Sequence, residues 1–345
     1  MMAVVSAAPA FGVKPASGRI LVRERSRACS KSHPPPIVIM RLAARGDGAV
    51  HSSSARPLDA VAAALMIVLC LSWGLNQVAV KLALPDIPAL TQGALRSLCA
   101  LPVVLLVARL RGVPLTMRDG SLVAGLTAGA LFGLEFVLIF RGLVWTTASR
   151  AVVFIYTAPF FIALGARFLL HERLSPLQWG GLALSFLGIL IAMGVPDSTV
   201  DARTLAGDGL MIAGGLFWAS TTLVIKGSAL ARVATEKTTL YQLVMSALIL
   251  TVGAALFGEH MERMPGPVAL GWLAYQAIWV LGITFTVWFA LVVKYSASRL
   301  SAMSFLTPLF GVAAGHFIMG DPLTPTFAAA VIFAVAGLVL VNRPR

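Results

Sequence analysis

The sequence predicts an all-α polytopic membrane protein of ten transmembrane helices arranged as two inverted five-helix repeats. Three observations lead there. The 345-residue chain is 58% hydrophobic and only 12% charged, whereas soluble domains carry about 25% charged residues. Its apolar runs are about 20 residues long, enough to cross a ~30 Å hydrocarbon core at ~1.5 Å per residue. Residues 133–176 return as 282–325 at a constant offset of 149. Twelve of these 44 positions are identical, including Phe140/Phe289, Ala148-Ser149-Arg150/Ala297-Ser298-Arg299, Pro159/Pro308 and Pro176/Pro325, which makes the two stretches copies of one unit. The alternating ~10-residue segments of a membrane β-barrel do not occur.

Residues 1–56 stand apart. They carry nine Lys/Arg against two acids, contain Pro34-Pro35-Pro36 and show no sustained apolar period. Such a composition cannot bury enough surface to fold, so the segment reads as a disordered basic tail. It is either an over-long gene start, with Met40 as the alternative first residue, or a genuine basic extension, an organellar transit peptide included. No apolar core followed by a cleavage site marks a secretory signal.

Ten apolar segments follow, near 59–81, 88–109, 120–141, 149–170, 176–194, 208–227, 236–257, 268–292, 299–319 and 324–341. The longest link, Val195–Gly207, divides a first repeat, 57–195, from a second, 207–341. The first helix of each half matches at an offset of 145: Trp73/Trp218 and Lys81/Lys226. Five helices per repeat is an odd number, so the second copy enters from the opposite face. Inverted repeats of this kind put a substrate site at their interface near mid-membrane.

With the N-terminus in the cytoplasm, inner loops and helix ends hold 13 Lys/Arg and outer ones 5, leaving out the tail before Arg56. This bias predicts a cytoplasmic (inner or plasma) membrane protein with both termini cytoplasmic. The net charge of +13 thus reflects tail and topology and does not call for nucleic acid. The three cysteines, Cys29, Cys70 and Cys99, show no paired spacing, so no disulfide framework or metal site is expected. No cofactor motif appears, and without a GxxxxGK[ST] loop the chain has no ATPase of its own.

Several residues inside the spans have chemistry to offer. Pro159 and Pro308 fall mid-helix and free the carbonyls of Ile155 and Ser304; each is either a packing kink or a hinge facing substrate. Gly125, Gly129 and Gly133 share one helix face, as do Gly311 and Gly315, which suits close helix approach. Glu135 is the one carboxylate well inside a span, and such a residue is functional by default. Arg96 lies at a similar depth. The two read either as a structural ion pair or as a coupling site. Trp73, Asn76, Gln77, Tyr156, Trp218, Thr221, Thr222, Trp288 and Ser304 are the candidate substrate-binding residues; each taken alone also suits a helix–helix contact. His316 has no evident metal-binding partners.

In their order, these features resemble EamA-type transporters of the drug/metabolite transporter superfamily. The residues that carry the resemblance are LSWGLNQVAVK and LFWASTTLVIK, Arg96, and the segments ASR…AP…HERLS and ASR…TP…GDPLT. It covers about 59–341. It implies a ten-helix carrier that exports small metabolites, often amino acids or related compounds, by alternating access through a central cavity. The family's usual Gly-Glu pair is altered to His171-Glu172 and Gly320-Asp321. The expected function is therefore a secondary transporter of small amphipathic metabolites. Its partners are a small-molecule substrate and the lipid bilayer, and either a monomer or a homodimer fits. The alternatives are a membrane-embedded enzyme acting on lipid-like substrates, for which only His171-Glu172-Arg173 offers a dense cluster, and a non-transporting receptor or scaffold.

Overall fold

A computed structural model describes residues 58–146, 148–193, 201–320, 323 and 325–343. The basic tail, most of the link between the halves, and Asp321 lie outside these residues. The regular elements described are helical: α1 Ala60–Ala83, α2 Ala89–Leu110, α3 Leu122–Leu143, α4 Ala148–Ile155, α5 Ala158–Leu169, α6 Pro176–Met193, α7 Ala202–Gly227, α8 Thr235–Leu256, α9 Pro267–Ala274, a π-helical segment Tyr275–Thr284, α10 Phe285–Lys294, α11 Ala297–Met303, α12 Leu306–Met319 and α13 Phe327–Asn342. Helices α4 and α5 form one broken span, α11 and α12 another, and α9, the π segment and α10 a continuous one. Among the described residues nine stretches are then long and apolar enough to cross a bilayer. The tenth, α13, is apolar but only 16 residues long. The chain is a multi-pass membrane protein.

Local chemistry moves some boundaries. α7 starts at Ala202, six residues before the expected 208, because Asp201 accepts the Thr204 N–H at 2.8 Å and caps the helix. Arg203 and Asp208 had hidden this first turn from an apolar reading. Asp59 caps α1 in the same way, from Ala62 N–H at 2.8 Å. Pro159 and Pro308 do not kink a continuous helix. Each sits in the first turn of a new one, where a missing N–H costs nothing, and the breaks fall just before, at Tyr156-Thr157 and Ser304-Phe305.

Helices that correspond in the two halves meet antiparallel. α6 crosses α13 with Gln178 Nε2 on the Arg343 carbonyl (3.0 Å) and Ser185 Oγ on the Ala334 carbonyl (3.1 Å). Gly188 lies against Ala330 and Ala334. Ser185 and Ala334 are 149 apart, the repeat spacing itself. α2 and α8 likewise run antiparallel: Leu90 and Ala94 pack with Leu250 and Ala254, and Ser246 Oγ donates to Ser97 Oγ at 3.0 Å. The remaining contacts exchange in pairs. α1 lies on α12 as α7 lies on α5, and α3 on α7 and α8 as the π-containing span lies on α1 and α2.

Charged groups fasten the helix ends. Lys237 at the start of α8 reaches Asp119 at 2.5 Å and the Thr116 carbonyl, and Arg111 pairs with the buried Glu236. The Lys237 ammonium, with help from Ser121, holds the Asp119 carboxyl down to about 2. At the opposite end Asp86 accepts Gly266 N–H (2.9 Å) and pairs with Arg263 (2.5 Å), both of which lower its pKa. Glu259 accepts the N–H groups of Leu90 (3.2 Å) and Thr91 (2.9 Å) at the start of α2.

Candidate functional site

The two helix breaks face the two halves' first helices. Glycine makes this approach feasible: a Cβ on Gly215 of α7 would stand 2.9 Å from the Ile155 carbonyl oxygen, and one on Gly74 of α1 2.7 Å from Phe310 and Gly311. The Ile155 carbonyl therefore points at α7, as expected of a group that Pro159 frees. The Ser304 carbonyl is not free; Thr307 N–H takes it at 2.9 Å.

Aromatic side chains gather around these breaks. Trp73 packs edge-on against Trp288 (5.6 Å between ring centres) and beside Phe285 (5.6 Å), and its indole N–H donates to Thr284 Oγ1 at 3.0 Å. Tyr156 stands edge-on to Trp218 at 5.8 Å and 6.3 Å from Phe305. The tryptophans equivalent in the repeat thus each anchor a ring cluster that reaches into the other half, Trp73 with Phe285 and Trp288 and Trp218 with Tyr156. Trp73 and Trp218 are half-buried, Tyr156 and Trp288 buried.

The polar candidates divide by whether their own helix satisfies them. Thr222 Oγ1 donates to the Trp218 carbonyl (3.0 Å) and Ser304 Oγ to the Ser301 carbonyl (2.6 Å), so both are occupied. Asn76 Oδ1 and Thr221 Oγ1, which correspond in the repeat, are buried with no hydrogen-bond partner, as is Thr307 Oγ1. Buried polar atoms are almost always bonded, so these three atoms are open to a further partner. Thr307 was not singled out in the sequence; its place one residue before Pro308 was the available signal. Gln77 is exposed beside Gly311.

Arg96 and Glu135 are both buried, on α2 and α3. They do not form the direct pair expected of a structural bridge: the ion pairs made by the described residues at 4.0 Å or less do not include them. The Arg96 guanidinium lies instead over the Phe136 ring, 4.4 Å from its centre. Phe136 is held there edge-on to Phe132. Arg96 Nε and both side-chain polar atoms of Gln242 and Gln276 lack partners.

Sequence reasoning also missed two features. The first is the π segment. Tyr275 OH donates to the Ser72 carbonyl (2.9 Å), Trp279 Nε1 to Ser72 Oγ (2.9 Å), and Thr284 accepts Trp73. Tyr275 and Thr284 are nine residues apart, two and a half turns of an α-helix at ~3.6 residues per turn. With the wider i→i+5 bonding of a π-helix, at roughly 4.4 per turn, nine residues make about two turns. Only the π winding puts all three on the face that meets α1. The second is a knot at one end of the bundle. Glu172 receives Ser296 Oγ at 2.7 Å, Ala297 N–H at 3.2 Å and Ser298 N–H at 3.3 Å at the start of α11, and pairs with Lys226 at 2.8 Å. Lys226 also donates to the Tyr295 carbonyl, and Tyr295 OH to Asp59 Oδ2 at 2.6 Å. Burial opposes ionisation of Glu172, but Lys226 and these donors outweigh it and hold the carboxyl below its ordinary range. His171, just before it, adopts a left-handed φ of 55°, the position that Gly320 fills in the second half at 75°. The turn aims the acid at α11, and a glycine, as at Gly320, fits it without strain.

The membrane-embedded bundle thus gathers ring clusters and buried polar atoms without partners around its two helix breaks. The chain belongs to the EamA-like transporter family, whose pattern matches it twice, at residues 60–194 and 205–343. Among its relatives is a "Probable amino-acid metabolite efflux pump" of Salmonella typhimurium, 30% identical over 293 residues, covering 80% of this chain and 93% of that protein. A protein of the same description from Escherichia coli is 28% identical over 296 residues, covering 82% and 94%. A solved crystal structure with 20% identity superposes with a TM-score of 0.72 over 82% of this chain and 96% of its own, and so shares the fold.

Proposed function

We propose that the protein is a secondary transporter that exports small amphipathic metabolites, amino acids or close relatives of them, by alternating access. In this reading α13 completes a set of ten membrane helices in two inverted five-helix halves, with both termini in the cytoplasm of a cell bounded by this membrane. The observation that carries the reading is the antiparallel meeting of α2 with α8 and of α6 with α13, helices that correspond in the two family repeats. Two halves packed this way rock about a shared seam and open a central site to each side in turn. The relatives named as amino-acid metabolite efflux pumps support the substrate class. Trp73, Trp218 and Tyr156 supply apolar walls; Asn76, Thr221 and Thr307 supply the few polar groups that orient a small ligand. A carrier rather than an enzyme is favoured because Glu172, the centre of the densest polar cluster, is consumed by Lys226 and the start of α11.

The test is flux of labelled amino acids into liposomes that contain the purified protein. Asn76→Ala and Trp218→Ala are expected to slow flux at least tenfold while leaving the protein monodisperse in detergent. Normal flux in both variants, or no flux by the unaltered protein, rejects this site or this function respectively.

A further inference from the structure

We propose that Arg96 and Glu135 hold the two ends of a zwitterionic substrate, its carboxylate at Arg96 and its ammonium at Glu135. This rests on the transport reading above and names the chemistry of what is carried. Glu135 is the repeat equivalent of Thr284, 149 residues on. Thr284 stands beside Trp73 and accepts its indole N–H. The equivalent of Trp73 is Trp218, and the packing of α3 on α7 leads there too. A Cβ on Gly142 would meet Gly207 and Met211, and one on Gly214 would meet Ile139, so the helices run antiparallel and in step. One further turn along each brings Glu135 level with Trp218. Where the second half presents a neutral hydroxyl to Trp73 of the first, the first half presents a carboxyl group at the level of Trp218 of the second. An ammonium between a carboxylate and an indole face is held by both.

Arg96 supplies the complementary charge. Its guanidinium covers the ring of Phe136, the residue next to Glu135, and its Nε has no partner. The two side chains, on helices that both pack on α8, make no ion pair with each other at 4.0 Å or less. Opposite charges in a low-dielectric interior attract strongly, and either one left alone is costly. Two such charges held apart suit a molecule that carries both. A third group fits the same end. α2 runs beside the π-containing span: Leu95 belongs to the apolar cluster of Ala269 and Leu273, Ala100 to that of Ala277 and Leu281, and a Cβ on Gly282 would meet Val103 and Val104. Gln276 therefore stands near the level of Arg96, fully buried, its amide without a partner. A guanidinium fork and an amide N–H are the donors that carboxylates take.

The experiment is counterflow of labelled L-leucine and L-phenylalanine in liposomes. The competitors are the unlabelled amino acid, its decarboxylated amine (isopentylamine, phenethylamine) and its deaminated acid (4-methylpentanoate, 3-phenylpropanoate). The unaltered protein is expected to bind the amino acid at least tenfold better than either analogue. Arg96→Gln is expected to lower the preference over the amine about tenfold and spare the preference over the acid. Glu135→Thr, which installs the residue that the second half uses, is expected to do the reverse. Gln276→Met removes an amide that has no partner, so thermal stability is expected to hold while the preference over the amine falls; it carries the test if Arg96→Gln does not fold. Variants that weaken all three competitors in proportion overturn the proposal, as does a stable Gln276→Met with unchanged preference. An unaltered protein that moves an amino acid but does not discriminate overturns the zwitterion assignment alone, and one that moves neither amino acid removes the transport reading beneath it.

Discussion

α3 and its counterpart in the second half, Pro267–Lys294, occupy the same position in the repeat and solve it differently. α3 is α-helical over 22 residues. The counterpart is 28 residues long and π-wound over ten of them. Pro267 stands 145 residues after Leu122, but Gly282 stands 149 after Gly133. Four more residues therefore precede Gly282, and the π segment lies across that point, each of its turns taking in more residues than an α turn. α3 meets α8 by having no side chains at Gly125, Gly129 and Gly133, which lie against Tyr241, Met245 and Ser246. The counterpart meets α1 through Tyr275, Trp279 and Thr284. A glycine seam is close-packed and fails at once when anything is added. Single hydrogen bonds, worth about 1 kcal/mol each, let go one at a time. We expect the second span to re-aim during transport and α3 to stay on α8.

Gly129→Leu tests the seam most severely. Its Cβ would stand 2.6 Å from the Tyr241 carbonyl oxygen and 2.8 Å from the Met245 side chain. Backbone cannot yield that much, so a loss of about 3 kcal/mol or more, and no monodisperse protein in detergent, is expected. Ile278, 149 residues on, is exposed, and Ile278→Ala is expected to change thermal unfolding by less than about 0.5 kcal/mol. Equal effects at the two positions would abolish the distinction.

The knot that follows the second span comes next in size. Glu172 has a folded pKa below its ordinary value. Its contribution is therefore present above the unfolded pKa and lost as pH falls through the folded one. Glu172→Gln is expected to cost about 1–2 kcal/mol at pH 7 and to flatten the fall in stability below pH ~4.5. A variant whose acid unfolding profile overlays that of the unaltered protein would place the stabilisation elsewhere.

Trp279→Phe removes one pin from the π segment and keeps the ring. The expected cost is about 1 kcal/mol, with faster amide hydrogen exchange confined to 275–284; faster exchange in α3 instead would reverse the assignment of the mobile span. His171→Gly is the smallest change and the one expected to stabilise, by about 0.5–1 kcal/mol, because it relieves a left-handed side chain ahead of Glu172. A lower melting temperature in that variant would show that the imidazole makes a contact worth more than the strain.

Much of the architecture was readable in the residues. Composition and run length announced the spans, and Pro159/Pro308 announced two interrupted helices, although the breaks lie just ahead of the prolines. The candidate site was legible less evenly. Trp73 and Trp218 stood out as a matched pair and do centre two ring clusters. Thr222 and Ser304 stood out equally and turn out to be bonded to their own helices. A hydroxyl's partner is set by a rotamer, which the residue name does not contain.

What the sequence by itself determined is the class of molecule: a solvent of lipid selects for apolar helices with internal bonding, and the return of 133–176 at 282–325 marks two copies of one unit. The tertiary structure alone decided which charges meet. A count of residues puts Arg96 and Glu135 at similar depths, but whether they pair depends on how α2 and α3 pack, and they make no ion pair at 4.0 Å or less. It alone decided that Tyr275, Trp279 and Thr284 lie on one face, since apolar periodicity assumes 3.6 residues per turn and a π-wound segment breaks that assumption. Burial is a local and additive property of a sequence; pairing is a relation between distant segments, and only the packed chain supplies it.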